Sequence, residues 1–380
     1  MRYSIETGID LRQIDWKRLR ADFPITRRWV YLDHASAGPL PKPVYEEVKR
    51  TYWDALHYGD VPWKRWLEKK EKVREKFARL IHADADEVAF VHSTSEGMNL
   101  IADLIGGEGD VLASSLEFPA STVPWLHRRT RVRFIRPEDG KISLESIRRE
   151  LDPGVKTIVT SCVQYQNGFK QDLTSVGKIK GRRYLVVNAT QALGVFPIDV
   201  RAWRADFLAA ASYKWLLAGY GGGLLYVRKK WLKKFKPSFA GWRSRQIEEN
   251  FDNRNVTLKQ SASRYEYGCP SLAVIFTMSA ALDYLTAIGI DRIAGRVLEL
   301  TDYAIQRLED IGLEITSPLE RKYRSGIVVF KVKHAKRIVQ ALLKRRIYVS
   351  PRGEGIRVAP HFYNSFADID RFIINLKKLI

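Results

Sequence analysis

The chain has 380 residues, enough for two domains with large cores, and its 45% hydrophobic and 28% charged residues are the balance of an ordinary globular protein. Two cysteines exclude a disulfide framework, and the absence of a CxxC or Cys/His cluster argues against a metal. The net charge of +21 comes from basic residues spread along the chain without a nucleic-acid motif, so it reads as a basic surface rather than a nucleic-acid partner.

The N-terminus, MRYSIETGIDLRQIDWKRLRADFP, alternates charged and apolar residues and has no secretory h-region. No stretch approaches the roughly 20 uncharged apolar residues of a membrane span. The expectation is a cytoplasmic protein with no membrane association. Abundant Lys, Arg and Glu beside scarce Cys and Met suit a thermophile surface.

Glu87–Val91 reads as a strand and Gly97–Ile105 as the helix that follows it. Asp110–Ser114, Val132–Ile135, Thr157–Cys162, Tyr184–Asn188, Asp206–Ala211 and Gly223–Val227 read as further strands, with helical patterns such as Ser143–Leu151 between some of them. This alternation predicts a mostly parallel sheet covered by helices. After about residue 255 the pattern changes. Two long helices, Leu272–Ala287 and Ile290–Ile311, lead into an α+β segment. Its elements are Gly326–Val332, a helix around Ala335–Arg345, strands at Ile347–Ser350 and Gly355–Val358, and a last helix starting at Ser365 with Asp368 as a capping box. The division expected is an N-terminal segment at 1–34 packing with the small domain, a large domain at 35–255 and a small domain at 256–380.

Between Asp206 and Arg228 the only charge is Lys214. A buried ammonium is costly unless it is paired or loses its proton, and a lysine that loses its proton is a nucleophile toward aldehydes. The competing reading is a lysine that snorkels from a strand end to water. Val91–Asn99, VHSTSEGMN, ends an apolar strand with three hydroxyl residues and starts a helix, which makes an anion site of hydroxyls and helix amides. Its plainer reading is a Ser/Thr N-cap.

Together with these, LRADFP (19–24), YLDHASAGPLP (31–41), EFPASTVPW (117–125), QYQNGFKQDL (164–173), NATQALG (188–194), SYKWLLAGYGGGLLYV (212–227), RYEYGCP (264–270) and RVAPHFYN (357–364) resemble, in this order, the class V aminotransferase family. That family is a branch of the fold-type-I pyridoxal phosphate enzymes and includes cysteine desulfurases and isopenicillin N epimerase-like proteins. The resemblance implies an α/β fold-type-I architecture: a large domain with a mostly parallel seven-stranded sheet plus a smaller C-terminal α+β domain. It also implies pyridoxal 5'-phosphate as cofactor, a small amino acid as substrate and a homodimer.

Carried over residue by residue, Lys214 bonds the cofactor and is the catalytic residue. Thr94 and Ser95, helped by Ser212, hold the phosphate. Phe118 stacks on the ring, Asn188 faces the ring nitrogen and Gln191 lies near the phenolic oxygen. Gln164 or its neighbour Tyr165 supplies another polar contact. Cys269 takes the place of a threonine near the phosphate of the partner subunit. Arg357 grips the substrate carboxylate, for which a guanidinium is the natural group.

Four departures stand out. Asn188 replaces the usual aspartate, which would keep the ring nitrogen protonated and the ring a strong electron sink. Tyr213 replaces the histidine of cysteine desulfurases. Phe118 replaces a stacked histidine. The region from Arg321 to Arg357 has no cysteine to accept sulfur. The expected chemistry is at the α-carbon of an amino acid through an external aldimine, as an aminotransferase or a lyase. The alternatives are an epimerase, or a catalytically silent relative whose basic surface binds a partner. The loops at Trp242–Val256 and Tyr58–Trp63 are expected to shape substrate choice.

Overall fold

The computed structural model describes residues 14–247, 253–254 and 256–380. Its strands, in chain order, are β1 (Val30–Tyr31), β2 (Val88–Val91), β3 (Asp110–Ser114), β4 (Val132–Ile135), β5 (Val155–Ser161), β6 (Tyr184–Asn188), β7 (Phe207–Ala211), β8 (Gly223–Val227), β9 (Val328–Lys331), β10 (Ile347–Tyr348), β11 (Ser350–Arg352) and β12 (Gly355–Val358).

β2 to β8 form one seven-stranded sheet in the order β2-β8-β7-β6-β5-β3-β4. Only β8 runs against its neighbours. The expected mostly parallel seven-stranded sheet is therefore present, and each expected strand lies within two residues of its observed bounds. Helices cover both faces, so β6, β7 and β8 are buried at every residue and read as continuous apolar runs. The helix Thr94–Ile105 lies close on β7. A Cβ at Gly97 would sit 2.8 Å from that of Ala209, so the close approach needs glycine.

Two helices, Lys42–Tyr58 and Trp63–Leu80, fill a stretch where the sequence suggested no element. Their charge-rich surfaces leave few buried positions: only Val44 and Thr51 are buried in the first. Both pack on the apolar helix Leu272–Ile288. That helix contributes Ile275, Phe276 and Leu282 to the same core as the sheet residues Leu185 and Leu208. A separate core gathers Val30 and Leu32 with residues from Leu300 to Leu376. It is built on the antiparallel sheet β11-β12-β9 and on β1 paired with β10. Val30 and Leu32, from the segment before residue 35, belong to this core. Residues 1–13 of that segment, and 248–252 and 255 of the Trp242–Val256 loop, lie outside the described residues.

Among the described residues no single helix is long and apolar enough to cross a membrane.

Candidate active site

Five sheet strands bring their C-terminal ends to one cleft of about 460 Å³, where open α/β sheets place ligands. After β2, Ser93 caps the helix Thr94–Ile105, its Oγ accepting from Glu96 N–H at 3.1 Å. Thr94 and Ser95 follow in the first turn and line the cleft. Thr94 Oγ1 lies 2.6 Å from Thr190 Oγ1, beyond the end of β6. Hydroxyls and helix N–H groups thus converge on one corner, a site suited to an anion.

Opposite that corner Phe118 follows β3 and stands 42% exposed, its ring edge-on to Tyr165 at 5.1 Å. The floor is Asn188, the last residue of β6. Gln191 also lines the cleft. Its Oε1 accepts from Trp215 Nε1 at 2.7 Å and its Nε2 donates to the Ala35 carbonyl at 2.9 Å.

Lys214 follows β7 on the turn after Ala211 and is 7% exposed. Its Nζ lies 5.5 Å from the Phe118 ring centre and 5.6 Å from that of Tyr213. It has no hydrogen-bond or ion-pair partner among the described residues. Burial pushes its pKa down to about 7, Arg357 and Arg352 act in the same direction, and Asp33 opposes them. A large share of the amine is therefore free of its proton near neutral pH, as a nucleophilic lysine requires. Among the described residues no histidine or carboxylate lines the cleft, so Lys214 is the base at hand.

Four expected site residues are placed differently. Ser161, Val163 and Tyr165 line the cleft, and Gln164, three residues past the end of β5, does not. Gln164 is fully buried and its Nε2 donates to Glu117 Oε1 at 2.5 Å. Of the two candidates, Tyr165 is the one at the cleft. Ser212 does not line the cleft either, its Oγ donating to the Gly219 carbonyl at 2.8 Å. Cys269 is exposed and lines a separate cleft with His92, Glu96 and Tyr267. Arg357 does not line the cleft; it is 1% exposed, donates through Nη1 to the Tyr165 carbonyl at 3.2 Å and forms an ion pair with Asp33 at 2.9 Å.

The sequence reading did not single out Glu117, Ser121, Asp33 or Arg352. Glu117 is buried behind Phe118 and accepts from Ser161 N–H and Oγ, both at 2.6 Å. Burial raises its pKa, against hydrogen bonds from Ser161, Gln164 and Ser121. The partners of Glu117, Ser121 and Asp33 come from distant segments of the chain, a relation that no local motif records.

The family model for "Aminotransferase class-V" matches residues 30–372. An uncharacterized aminotransferase of Bacillus subtilis, YcbU, is 32% identical over 92% of this chain and 94% of its own length. A probable cysteine desulfurase of Pyrococcus abyssi is 26% identical, covering 95% of this chain and 97% of its own. Among solved structures, a cysteine desulfurase of Thermococcus onnurineus superposes with a TM-score of 0.87 at 24% identity, over 96% of this chain and 97% of that one.

Proposed function

Because the chain belongs to the class-V aminotransferase family, a family of pyridoxal-phosphate-dependent enzymes, we propose that it holds this cofactor on Lys214 and acts at the α-carbon of a small amino acid. The observation that carries this reading is the unpaired Lys214 amine, 7% exposed and facing a cleft whose far corner is a hydroxyl-bearing helix N-terminus. The donor set fits the cofactor. Thr94, Ser95 and the first-turn amides suit the phosphate. Phe118 offers a ring face, while Asn188 and Gln191 offer polar edges.

When bound, the cofactor supplies an aldehyde that captures amines and a ring that accepts charge from the α-carbon. Lys214 is the residue that would take or return the proton at that carbon. Tyr165 and Phe118 wall the cleft above it. Arg357, held on Asp33 at 2.9 Å, is the guanidinium that would receive a substrate carboxylate. Within the family, aminotransferase and C–S lyase chemistry both fit this arrangement. Its Asn188 floor weakens the electron sink that transamination uses most.

We read the enzyme as a homodimer. The helix Lys42–Tyr58 exposes Tyr52, Trp53 and Leu56 at 64, 50 and 80%, a patch that suits a second copy. Exposed Cys269 suits an edge completed by that copy. The reading extends to the cytoplasm of a heat-adapted organism, supported by ion-pair networks such as Arg133 with Asp110 and Asp152.

The test is borohydride reduction after incubation with pyridoxal phosphate. The protein is expected to be yellow and to carry the fixed label on Lys214. A label on another lysine, or none, overturns the assignment.

A further inference from the structure

The chain leaves β5 through a turn, and Val163 and Lys170 pair across it as an antiparallel bridge. One side of this turn walls the Lys214 cleft. The other walls a separate cavity of about 970 Å³, and Val163 lines both. Backbone bonds pin two residues at the second cavity. Lys170 N–H donates to the Tyr323 carbonyl at 2.8 Å, and Gln171 N–H to the Cys162 carbonyl at 3.0 Å.

Neither side chain is satisfied. Lys170 is half-buried, its Nζ 5.4 Å from the Phe196 ring centre, and it has no hydrogen-bond or ion-pair partner among the described residues. Burial and Arg321 both press against its charge. Lys322, the other cation of the lining, is balanced by Glu320 at 3.3 Å. Gln171 is 7% exposed. Its Nε2 reaches the Ile142 carbonyl at 3.4 Å, and a carbonyl only accepts, so Oε1 is the end left over. That oxygen is buried without a hydrogen-bond partner among the described residues. An unpaired cation calls for an anion, and an orphaned acceptor calls for a donor. Phe196, Trp203 and Tyr323 supply rings for an apolar body. The one carboxylate of the lining, Asp172, already caps the helix Leu173–Ile179, its Oδ1 accepting the Ser175 N–H at 3.0 Å.

We propose that this cavity is a second ligand site, distinct from the Lys214 cleft. It takes a small carboxylate with an apolar body and a hydrogen-bond donor beside the carboxyl, as in an α-hydroxy or α-amino acid. The carboxylate pairs with Lys170, the donor meets Gln171 Oε1 and the body lies against the rings. The site does not depend on what Lys214 holds.

L-3-Phenyllactate is the probe, because it has all three parts and no amine to react at Lys214. Isothermal titration of the wild-type protein should show it binding. 3-Phenylpropionate lacks only the hydroxyl and should bind roughly 2- to 10-fold more weakly, the worth of a neutral hydrogen bond. Lys170→Gln should weaken phenyllactate about 10-fold, the low end for a bond to a charged group, since Lys170 is only half-buried. Lys170→Arg keeps the charge and should retain the binding. L-Phenylalanine, titrated after borohydride has closed Lys214 to amines, sets an ammonium against the hydroxyl. The tighter of the two names the class of ligand, provided that Lys170→Gln weakens it as well. No phenyllactate binding by wild type overturns the site. So does equal binding of phenyllactate and phenylpropionate, which needs no variant to fold. Wild-type affinity in Lys170→Gln, or an equal loss in Lys170→Arg, overturns it too.

Discussion

Asn188 donates through Nδ2 to Ser121 Oγ at 3.0 Å. The direction is fixed, because Asn188 Oδ1 accepts the Thr190 N–H at 3.0 Å and a backbone N–H only donates. Ser121, having accepted, turns its own hydrogen to Glu117. The cleft floor is thus a neutral carboxamide, with the Glu117 carboxyl one hydroxyl behind it.

Asn188→Asp should speed proton exchange at the α-carbon of a bound amino acid. A carboxylate beside a ring nitrogen favours its protonated form, and each pKa unit gained is worth roughly 1.4 kcal/mol. One or two units fully expressed in the transition state give roughly a 10- to 100-fold rate effect. Deuterium exchange into glycine, compared in the two proteins, is the measurement. No change with the cofactor still bound would remove Asn188 from the ring.

Capture of pyridoxal phosphate by the apoprotein should follow the Lys214 amine, with a midpoint near its pKa of about 7 rather than near the ordinary 10.5. Asp33 favours the charged form, so Asp33→Asn moves the midpoint down. The sign for stability follows from the same shift. Between about 7 and 10.5 the unfolded chain binds the proton that the folded chain lacks, so this group makes the apoprotein more stable as pH rises through that window. A capture profile that climbs only toward 10.5 would show a lysine in water.

The sheet strands were legible because residues buried on both faces leave uninterrupted apolar runs, as in Phe207–Ala211. Lys214 was legible as the one charge in such a run. What joins distant segments was not. Asp33 meets Arg357 across 324 positions, and no local pattern shows which arginine of the C-terminal segment is already paired. The choice between Gln164 and Tyr165 needed the path of the turn after β5, a matter of one residue. The helices at 42–80 escaped notice because charge covers most of their surface and the apolar helix they pack on lies some 200 residues later.

Any release of sulfur from cysteine should proceed without a protein thiol. Cys162 is buried, and burial pushes its thiol pKa well above the usual range, with Glu117 adding to the shift. Cys162, one residue past β5, lines a different cleft from that of Lys214, and Cys269 lines a third. The double variant Cys162→Ser, Cys269→Ser should keep the wild-type rate of sulfide or persulfide production. Lost sulfur release with normal cofactor binding would identify a thiol acceptor after all.

The last prediction concerns the buried cluster under the helix Trp63–Leu80. Glu266 is 8% exposed in its side chain and binds Lys70 at 2.7 Å and Arg74 through both oxygens. It also accepts the Phe90 N–H at 2.9 Å, which ties the segment before Cys269 to β2. Glu266→Gln leaves two buried cations without their acid and should cost about 3–5 kcal/mol. Glu71 shares Arg74 but is 53% exposed, so Glu71→Gln should cost no more than about 1 kcal/mol. The acid limb separates charge from packing. Burial alone pushes the Glu266 carboxyl up, but Arg74 and Lys70 outweigh it and hold the pKa down to about 2, against an ordinary 4.5. A depressed carboxyl contributes stability that is complete above 4.5 and is lost as pH falls toward 2. Thermal unfolding measured across that window should therefore fall less steeply in Glu266→Gln than in wild type. Parallel curves would mean that the cluster holds the helix by shape and not by charge.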